Sequence, residues 1–306
     1  MAREKRLKFR RSRGDLIYSV VTYIILGFLF LITLYPLYFV VIASFSDPAL
    51  VNSGQIVLLP KGLDFRGYER IFELDRVWHG YLMSIYYTLF GTLFNLFLTF
   101  TIAYVLTRKD FMARNFFMKF LMLTMFFGGG LIPTFILVQD LGLYDTPLTL
   151  IIYGGVSVYN VIVTKSTLEN TIPYEMYEAA AIDGCGQIKF FVQFVLPLSK
   201  AIIAVMALFY AVGHWNDFMN ALIYTNSEEL QPLQLVLRNI LIEGEMLANE
   251  NLDPDLALLR QQQAELMKYG LIVVASIPLL VAYPFIQKFF TQGIGMSLAE
   301  GYGIEL

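Results

Sequence analysis

One short segment, residues 170–197, breaks a chain that otherwise consists largely of long apolar runs. We call this segment the elbow. Its acids Glu175 and Glu178 would lie near the positive end of a helix dipole if Asn170 or Thr171 capped that helix. The sequence shows no nucleophile–base set. We therefore expect these carboxylates to offer a charged hydrogen bond to another protein.

Small residues follow the acids of the elbow. The alanines at 179–181 favour a helix and let another backbone approach closely, and Gly184 can adopt the left-handed conformation that ends a helix. An apolar stripe then recurs at helical spacing, formed by Ile188, Phe191 and Phe194 or Val195. The pattern predicts an L of two short helices. Such an L suits docking into a groove of another protein, or forms an amphipathic connector on the membrane surface.

Residues for enzymatic or metal chemistry are scarce. The sequence has one cysteine, Cys185, and two histidines, His79 and His214, so neither a disulfide framework nor a zinc site is expected. It contains no G-x4-G-K-[ST] phosphate loop and no paired-histidine motif. We therefore expect a protein that catalyses no covalent reaction and has no cofactor and no metal.

Polar side chains inside the apolar runs are the other candidates for function, because such groups usually face the bundle or a water path. One helical stripe contains Tyr210, His214, Asp217 and Ala221. Aromatic rings and amides suit carbohydrate, and the candidates for a substrate pathway are Tyr159, Asn160, His214, Trp215, Asn216 and Asp217. Structural interpretations stay open. Asp217 can pair with His214 or cap a helix, Trp215 can anchor at the membrane interface, and Asn95 is expected to form an interhelical hydrogen bond.

The elements that must position these residues are membrane helices. The 306 residues are 57% hydrophobic and 15% charged, against about 25% charged in soluble domains, and the mean hydropathy is +0.60. A helix needs about 20 apolar residues to cross a bilayer. Six stretches reach or approach that length: 16–43, 82–106, 116–138, 147–164, 200–224 and 270–287. The predicted fold is an all-α membrane protein with six transmembrane helices, the third kinked or closely packed around residues 128–133.

Lysine and arginine set the expected orientation. They crowd residues 1–15 and recur at 108–119, whereas the segment 225–267 is acidic. This pattern predicts both termini and the elbow in the cytoplasm, and only the first outer loop, 46–81, is ambiguous. The basic start could belong to a secretory signal, but its apolar run is about twice the usual length. The first span is expected to be retained.

The elbow residues also resemble a family motif. Glu178-Ala179-Ala180, three residues, Gly184, nine residues and Phe194-x-Leu196-Pro197 is similar to EAA-x3-G-x9-I-x-LP, the EAA loop of bacterial ABC-importer permeases. Phe194 replaces isoleucine, and Asp183 also matches. The segment 215–218, WNDF, resembles maltose-type sugar permeases, while 128–146 and 230–241 resemble a branch that imports complex oligosaccharides. The resemblance covers most of the chain from the third span onward.

This resemblance implies a fold, partners and residue roles. The fold would be that of a type I ABC-importer permease in the bacterial cytoplasmic membrane, with its EAA loop forming coupling helices in a cleft of an ATPase. The coupling residues would be Glu178, Ala179, Ala180, Asp183 and Gly184. The implied partners are a second homologous permease in a heterodimer, two cytoplasmic ABC ATPases, an extracellular sugar-binding protein, an oligosaccharide and the lipid bilayer, with no nucleic acid. In maltose-type importers the partner permease supplies most sugar contacts.

We expect four regions along the chain. Residues 1–15 form a basic cytoplasmic N-terminus, and 16–80 the first transmembrane helix and outer loop. Residues 81–290 form a five-helix core that includes the elbow and the outer segment 225–267, which receives a sugar-binding protein or merely covers the bundle. Residues 291–306 form a cytoplasmic tail. In relatives a glycine-rich tail reaches toward the ATPase, and this tail retains glycines. The alternative function is a secondary transporter driven by an ion gradient, with Asp217 as an isolated charge. A membrane-embedded enzyme has little support.

Overall fold

The computed structural model describes residues 13–249, 267–281 and 283–284, and the regular structure of this part is helical apart from one isolated β-bridge between Ser46 and Leu63. The expected terminal regions 1–12 and 291–306 lie outside the described residues. The chain divides into two compact units, Met1–Ile71 with Leu247–Val274 and Phe72–Met246 with Ala275–Leu306.

The helices are numbered in chain order. They are α1 (Arg13–Ala43), α2 (Pro48–Asn52), α3 (Arg66–Glu73), α4 (Asp75–Thr107), α5 (Arg114–Phe126), α6 (Leu131–Asp140), α7 (Pro147–Ile152), α8 (Val158–Thr171), α9 (Tyr174–Ile182), α10 (Gln187–Phe190), α11 (Leu196–Leu198), α12 (Lys200–Trp215), α13 (Met219–Tyr224), α14 (Leu233–Asn249) and α15 (Met267–Val281). A π-helical turn, Phe191–Val195, joins α10 to α11, and a 3-10 turn, Glu228–Leu230, precedes α14.

In the first unit, α1 is apolar all round, and its window of highest hydropathy has no buried residue. The end of α1 packs with the following loop through a small cluster of Ile42, Ala43, Val51 and Ile56. In that loop Arg66 donates to Asp64 with Nη2 and Oδ2 2.6 Å apart. This guanidinium holds the pKa of the Asp64 carboxyl below its usual value.

In the second unit, α4 is the central helix and packs against α5, α7, α8 and α12. Small and short polar residues recur on it every four residues or so, and this row lets neighbouring backbones approach closely. A Cβ at Gly80 would lie 3.1 Å from Leu233 Cα, and Ser84 Oγ accepts a hydrogen bond from Leu233 N at 2.8 Å. The row consists of Gly80, Ser84, Gly91, Asn95, Thr99 and Ala103, all buried.

Two described helices are each long and apolar enough to cross a membrane, at Gly14–Ala43 and Asp75–Thr107. They correspond to the first two predicted spans. Two helix pairs would raise the number to four if each bent pair is one span: α5 with α6, bent by 116°, and Gln187–Leu198 with α12, bent by 82°. The kink expected in the third span is thus a complete break at residues 127–130, where Gly130 has a φ of +82°.

The other predicted spans also differ from single straight helices. The fourth, 147–164, consists of α7 and the start of α8, separated at Gly154, whose φ is +68°. The fifth, 200–224, ends as α12 at Trp215, and α13 follows after a short irregular stretch. Asp217 is therefore not on the helix of Tyr210 and His214. The sixth, 270–287, is described as α15 up to Val281, and residues 285–287 lie outside the described residues.

Candidate functional site

The turn of the elbow has the conformation that its glycine predicts. Helix α9 ends at Ile182, and Gly184 has a φ of +74°. Cys185 N donates to Ala180 O at 2.9 Å, and Gly184 N to Ala181 O at 3.1 Å, so the last carbonyls of α9 are satisfied. The expected cap was wrong, since Asn170 and Thr171 lie in the last turn of α8 and Pro173 takes the N-cap position of α9.

Beyond the turn the elbow widens into a π-helix before it bends. Pro197 has no N–H to donate to the carbonyl of residue 193, so a regular α-helix cannot continue through it. The π-helical turn Phe191–Val195 lies immediately before this position, and the chain then bends by 82° into α12. The residues that are buried therefore differ from the predicted apolar stripe. Phe190 and Val195 are buried, whereas Ile188 is 81% exposed.

The tip of the elbow is exposed and carries both acids and apolar groups. Among the expected coupling residues, Glu178, Ala179, Asp183 and Gly184 are exposed, and Ala180 is half-buried against the neighbouring core cluster. Ile182 is 86% exposed beside them. A Cβ at Gly184 would meet nothing within 4 Å. The tip therefore offers two carboxylates beside small and apolar side chains, a composition that suits contact with another protein.

The buried side of the elbow packs on the end of α4. One cluster joins Phe190 and Val195 of the elbow to Leu168 of α8 and to Ala103 and Leu106 of α4. Tyr177 stacks edge-on against Phe190, with ring centroids 5.5 Å apart. A rigid contact of this kind means that the elbow cannot rotate without disturbing α4.

Arg108, the residue after α4, makes the tightest link between α4 and α9. Its guanidinium carbon lies 2.9 Å from the ring centroid of Tyr177, 5.5 Å from that of Tyr174 and 5.9 Å from that of Tyr104. The Arg108 side chain is only 8% exposed. Cation–π contacts of a desolvated guanidinium contribute about 2 kcal/mol or more. Sequence reasoning used Arg108 only for orientation, although a charge directly after a long apolar helix is a signal for such a role.

A second link between α4 and α9 runs through Gln187, at the start of α10. Tyr104 Oη of α4 donates to Gln187 Oε1 at 3.1 Å, and Gln187 Nε2 donates to Tyr177 Oη at 2.5 Å. The amide thus uses both its acceptor and its donor between two helices. The sequence analysis assigned no role to Gln187, because its partner Tyr104 is 83 residues away.

The interior of the second unit contains a polar network built around Asn95. Asn95 Nδ2 donates to Gly155 O at 2.9 Å and to Gly154 O at 3.2 Å, and its Oδ1 lies 2.6 Å from His214 Nε2. Asn95 is 1% exposed. The predicted interhelical hydrogen bond of Asn95 is therefore confirmed. It holds α12 and the break between α7 and α8 against α4. One helical turn away, Thr99 Oγ1 lies 2.6 Å from Tyr210 Oη.

The predicted substrate-pathway residues do not share one environment. Trp215 is 4% exposed and donates to Ala275 O at 3.2 Å, so it is a core residue and not an interfacial anchor. Asp217 lies one residue before the N-cap of α13 and accepts from Asn220 N at 3.1 Å and from Asn220 Nδ2 at 2.8 Å. His214 belongs to the polar network, and Asn160 is buried at the start of α8. Of the six, Tyr159 and Asn216 have exposed side chains.

A cavity of about 620 Å³ lies between α4, α12 and α15. Its lining is apolar except for Thr88 and Thr92, with Trp215 at one wall. This lining lacks the polar groups that a sugar requires. Among the described residues no group of histidine, cysteine, aspartate or glutamate side chains could hold a metal ion.

Two loops of the second unit are joined by Asp145. Its carboxylate accepts from Asn226 N at 2.8 Å, Ser227 N at 2.9 Å and Ser227 Oγ at 2.6 Å. Its φ is +56°. The hydroxyl of Ser227 and then the two backbone donors hold the pKa of the Asp145 carboxyl below its usual value. The sequence analysis assigned no role to Asp145.

Bent helix pairs around a long apolar central helix, with an exposed two-helix elbow, are the architecture of an all-helical membrane protein. The chain belongs to the family of binding-protein-dependent transport system inner membrane components, which matches residues 101–296. The resemblance to bacterial ABC-importer permeases is therefore confirmed, and family membership makes the chain a membrane protein.

Individual relatives match nearly the whole chain. Protein LplC of Bacillus subtilis (strain 168) is 36% identical over 95% of this chain and 97% of its own length. The polygalacturonan/rhamnogalacturonan transport system permease protein YtcP of the same organism is 37% identical over 91% and 97%. A solved chain from a bacterial ABC transporter involved in the import of the acidic polysaccharide alginate superimposes with a TM-score of 0.81. It is 29% identical, over 92% of this chain and all of that one.

Proposed function

We propose that this chain is one of two permease subunits of an ATP-driven importer of oligosaccharides, and that the elbow is its joint to the ATPase. The observation that carries the coupling role is the geometry of the elbow. An exposed tip with Glu178, Asp183 and a flat alanine surface faces outward, while the opposite side is tied to α4 through Tyr177 and Arg108. A force applied to the tip must therefore reach a helix that crosses the membrane.

The proposed assembly contains a second homologous permease, two cytoplasmic ABC ATPases that hydrolyse ATP, and an extracellular sugar-binding protein. The relatives support this assembly in general terms, since the family is that of binding-protein-dependent transport systems. The outer segment 225–267 would receive the binding protein. Its described part includes α14, held to the start of α4 by Arg76 Nη2 and Glu243 Oε2 at 2.9 Å.

The proposed substrates are oligosaccharides. The support comes from relatives named for polygalacturonan/rhamnogalacturonan transport, for galactooligosaccharide transport and for alginate import. Tyr159 and Asn216 are the residues we propose to touch the sugar, because their side chains are exposed. The other four candidates would then support the wall of the pathway without touching the sugar: Asn160, His214, Trp215 and Asp217. The substrate class would be identified by comparing the uptake of matched neutral and acidic oligosaccharides in cells with and without the gene.

The proposed topology has six spans, with both termini and the elbow in the cytoplasm. Each bent pair would count as one span, and α7–α8 and α15 would complete the set. Two single-cysteine variants test the orientation in a Cys185→Ser background: Ala179→Cys at the elbow tip and Ala49→Cys in α2, both exposed positions. A membrane-impermeant maleimide should label only position 49 in intact spheroplasts and only position 179 in inverted vesicles. Labelling of both positions from one side would contradict the topology.

The coupling role is tested by adding bulk at the tip. Ala179→Trp fills the flat surface of α9 without touching the core, because Ala179 is exposed, and Ala49→Trp is the matched change at an exposed alanine elsewhere. We expect Ala179→Trp to lose co-purification of the ATPase and sugar uptake, while Ala49→Trp retains the ATPase. A tagged Ala179→Trp protein that still brings the ATPase in normal amount would refute the elbow as the joint. A wild-type protein that brings no ATPase would refute the importer.

A further inference from the structure

A separate pocket lies beside the elbow, where the end of α4 meets the start of α5, the end of α8 and α9. Its cavity volume is about 350 Å³. Three cationic side chains and three tyrosines line it: Arg108, Lys109, Arg114, Tyr104, Tyr174 and Tyr177. We call this cavity the elbow pocket. Basic and aromatic groups around a cavity of this size suit a small anion with several acceptor oxygens.

Arg108 is the unusual member of the lining. Its side chain is more than nine-tenths buried, and its Nε and Nη2 have no hydrogen-bond acceptor in the described part of the chain. Asp110 Oδ1 lies 3.3 Å from Nε, close enough for an ion pair but without hydrogen-bond geometry. A guanidinium cannot release its proton to avoid this cost. Buried donors without acceptors therefore call for an explanation, and an anionic ligand in the pocket supplies acceptors.

The other charged side chains that line the pocket are compatible with a bound anion. Lys109 Nζ lies 4.3 Å over the Tyr174 ring, and Arg114 adds a third cation. Two acids also line the pocket. Glu169 is paired with Lys165, with Oε2 and Nζ 2.7 Å apart, and Glu175 is exposed. The acids in the lining are thus either already neutralised or in contact with water, whereas Arg108 Nε and Nη2 are buried without a hydrogen-bond acceptor in the described part of the chain.

We propose that the elbow pocket binds a phosphate group. Phosphate oxygens match the planar fork of arginine, and two arginines with one lysine supply enough donors to surround it. The position agrees with this ligand. Helix α4 has 33 residues and is about 50 Å long, which exceeds the roughly 30 Å hydrocarbon core. Its ends therefore reach the membrane boundary, where the phosphate of an anionic lipid and soluble phosphate compounds are both available.

Binding is measured on the full-length permease alone, so the result does not depend on the proposed coupling to an ATPase. Native mass spectrometry would compare phosphatidylglycerol with phosphatidylcholine, and thermal unfolding would be followed against inorganic phosphate, with sodium chloride of equal ionic strength as reference. The variants are Lys109→Gln and Arg114→Gln, and Arg108→Lys, which keeps the charge but loses the fork. Lys119→Gln, at an exposed position of α5, is the matched control.

We expect each pocket variant to weaken binding about tenfold or more, as expected for one lost charged hydrogen bond, and Lys119→Gln to leave binding unchanged. Preference for phosphatidylglycerol that disappears in the variants identifies the lipid headgroup as the source. A phosphate-specific rise in unfolding temperature that disappears in the variants identifies a soluble phosphate. If neither probe distinguishes Arg114→Gln and Lys109→Gln from Lys119→Gln, the proposal is overturned.

Discussion

A methyl group added at Gly91 tests whether the polar network positions α12 against α4. Gly91 lies on the face of α4 that packs against α12, and a Cβ there would overlap the His214 ring at Cε1, Nε2 and Cδ2. His214 cannot move away freely, because its Nε2 lies 2.6 Å from Asn95 Oδ1. Gly91→Ala must therefore push the imidazole off Asn95 or separate the two helices.

The expected cost follows from three contributions. Overpacking a well-packed site costs about 1–3 kcal/mol, and leaving a buried acceptor such as Asn95 Oδ1 unsatisfied costs about 1–3 kcal/mol more. Replacing glycine by alanine inside a helix returns about 1 kcal/mol. We expect Gly91→Ala to lower the free energy of unfolding by roughly 1–5 kcal/mol. Gly213→Ala should be neutral or stabilising, since a Cβ at Gly213 meets nothing within 4 Å.

The assay is thermal or denaturant unfolding of the purified protein in one detergent, with Gly91→Ala measured alone and in a His214→Ala background. Removing the imidazole removes the overlap, so in that background Gly91→Ala should cost nothing or stabilise the protein. The difference between the two backgrounds is the interaction energy of positions 91 and 214. An equal cost in both backgrounds, or no cost in either, would refute the argument from packing against His214.

Three further predictions concern the elbow and the loops. Gly184→Ala should destabilise the protein by about 1–2 kcal/mol, because an L-residue at a φ of +74° is strained. The matched control Gly186→Ala, at a φ of −68°, should not destabilise it. The unfolding midpoints of the two variants test this difference. Gln187→Leu should speed hydrogen exchange in α9 selectively, since it removes the bridge between Tyr104 and Tyr177. Asp145 has a pKa below its ordinary 3.8, so its carboxylate stabilises the protein above that pH, and this contribution is lost as pH falls through the lowered value. Asp145→Asn should therefore cost stability at neutral pH, and its difference from wild type should shrink in acid; a difference that stays constant down to pH 2 would contradict this.

Features that depend on one residue and its neighbours in sequence could be predicted. The turn at Gly184 needs only a residue that tolerates a positive φ after a run of alanines, and α1 needs only a long apolar run. The complete break at residues 127–130 could not be separated from a kink, because three glycines permit both. Its angle depends on what each half packs against.

Features that depend on distant partners could not be predicted from one sequence. Asn95 and His214 are 119 residues apart, and the helices α5 to α8 lie between Arg108 and Tyr177 in the sequence. The sequence shows that each side chain is costly in an apolar setting, which predicts that it has a partner. It does not say which one. The same reasoning explains why an interfacial anchor stayed open for Trp215, since a buried acceptor at Ala275 O satisfies its indole as well as interfacial water would.

Helix α4 connects the two parts of the molecule in which these contacts occur. Arg108 follows its last residue and holds the elbow, and Asn95 lies 13 residues earlier, about 20 Å along the helix. A helix transmits rotation over that distance because its backbone hydrogen bonds keep it rigid. Rotation of the elbow must then either carry α4 along and strain the hydrogen bond between Asn95 and His214, or separate Arg108 from Tyr177. Cross-linking can distinguish the two, because a disulfide between α9 and the end of α4 abolishes transport only in the second case.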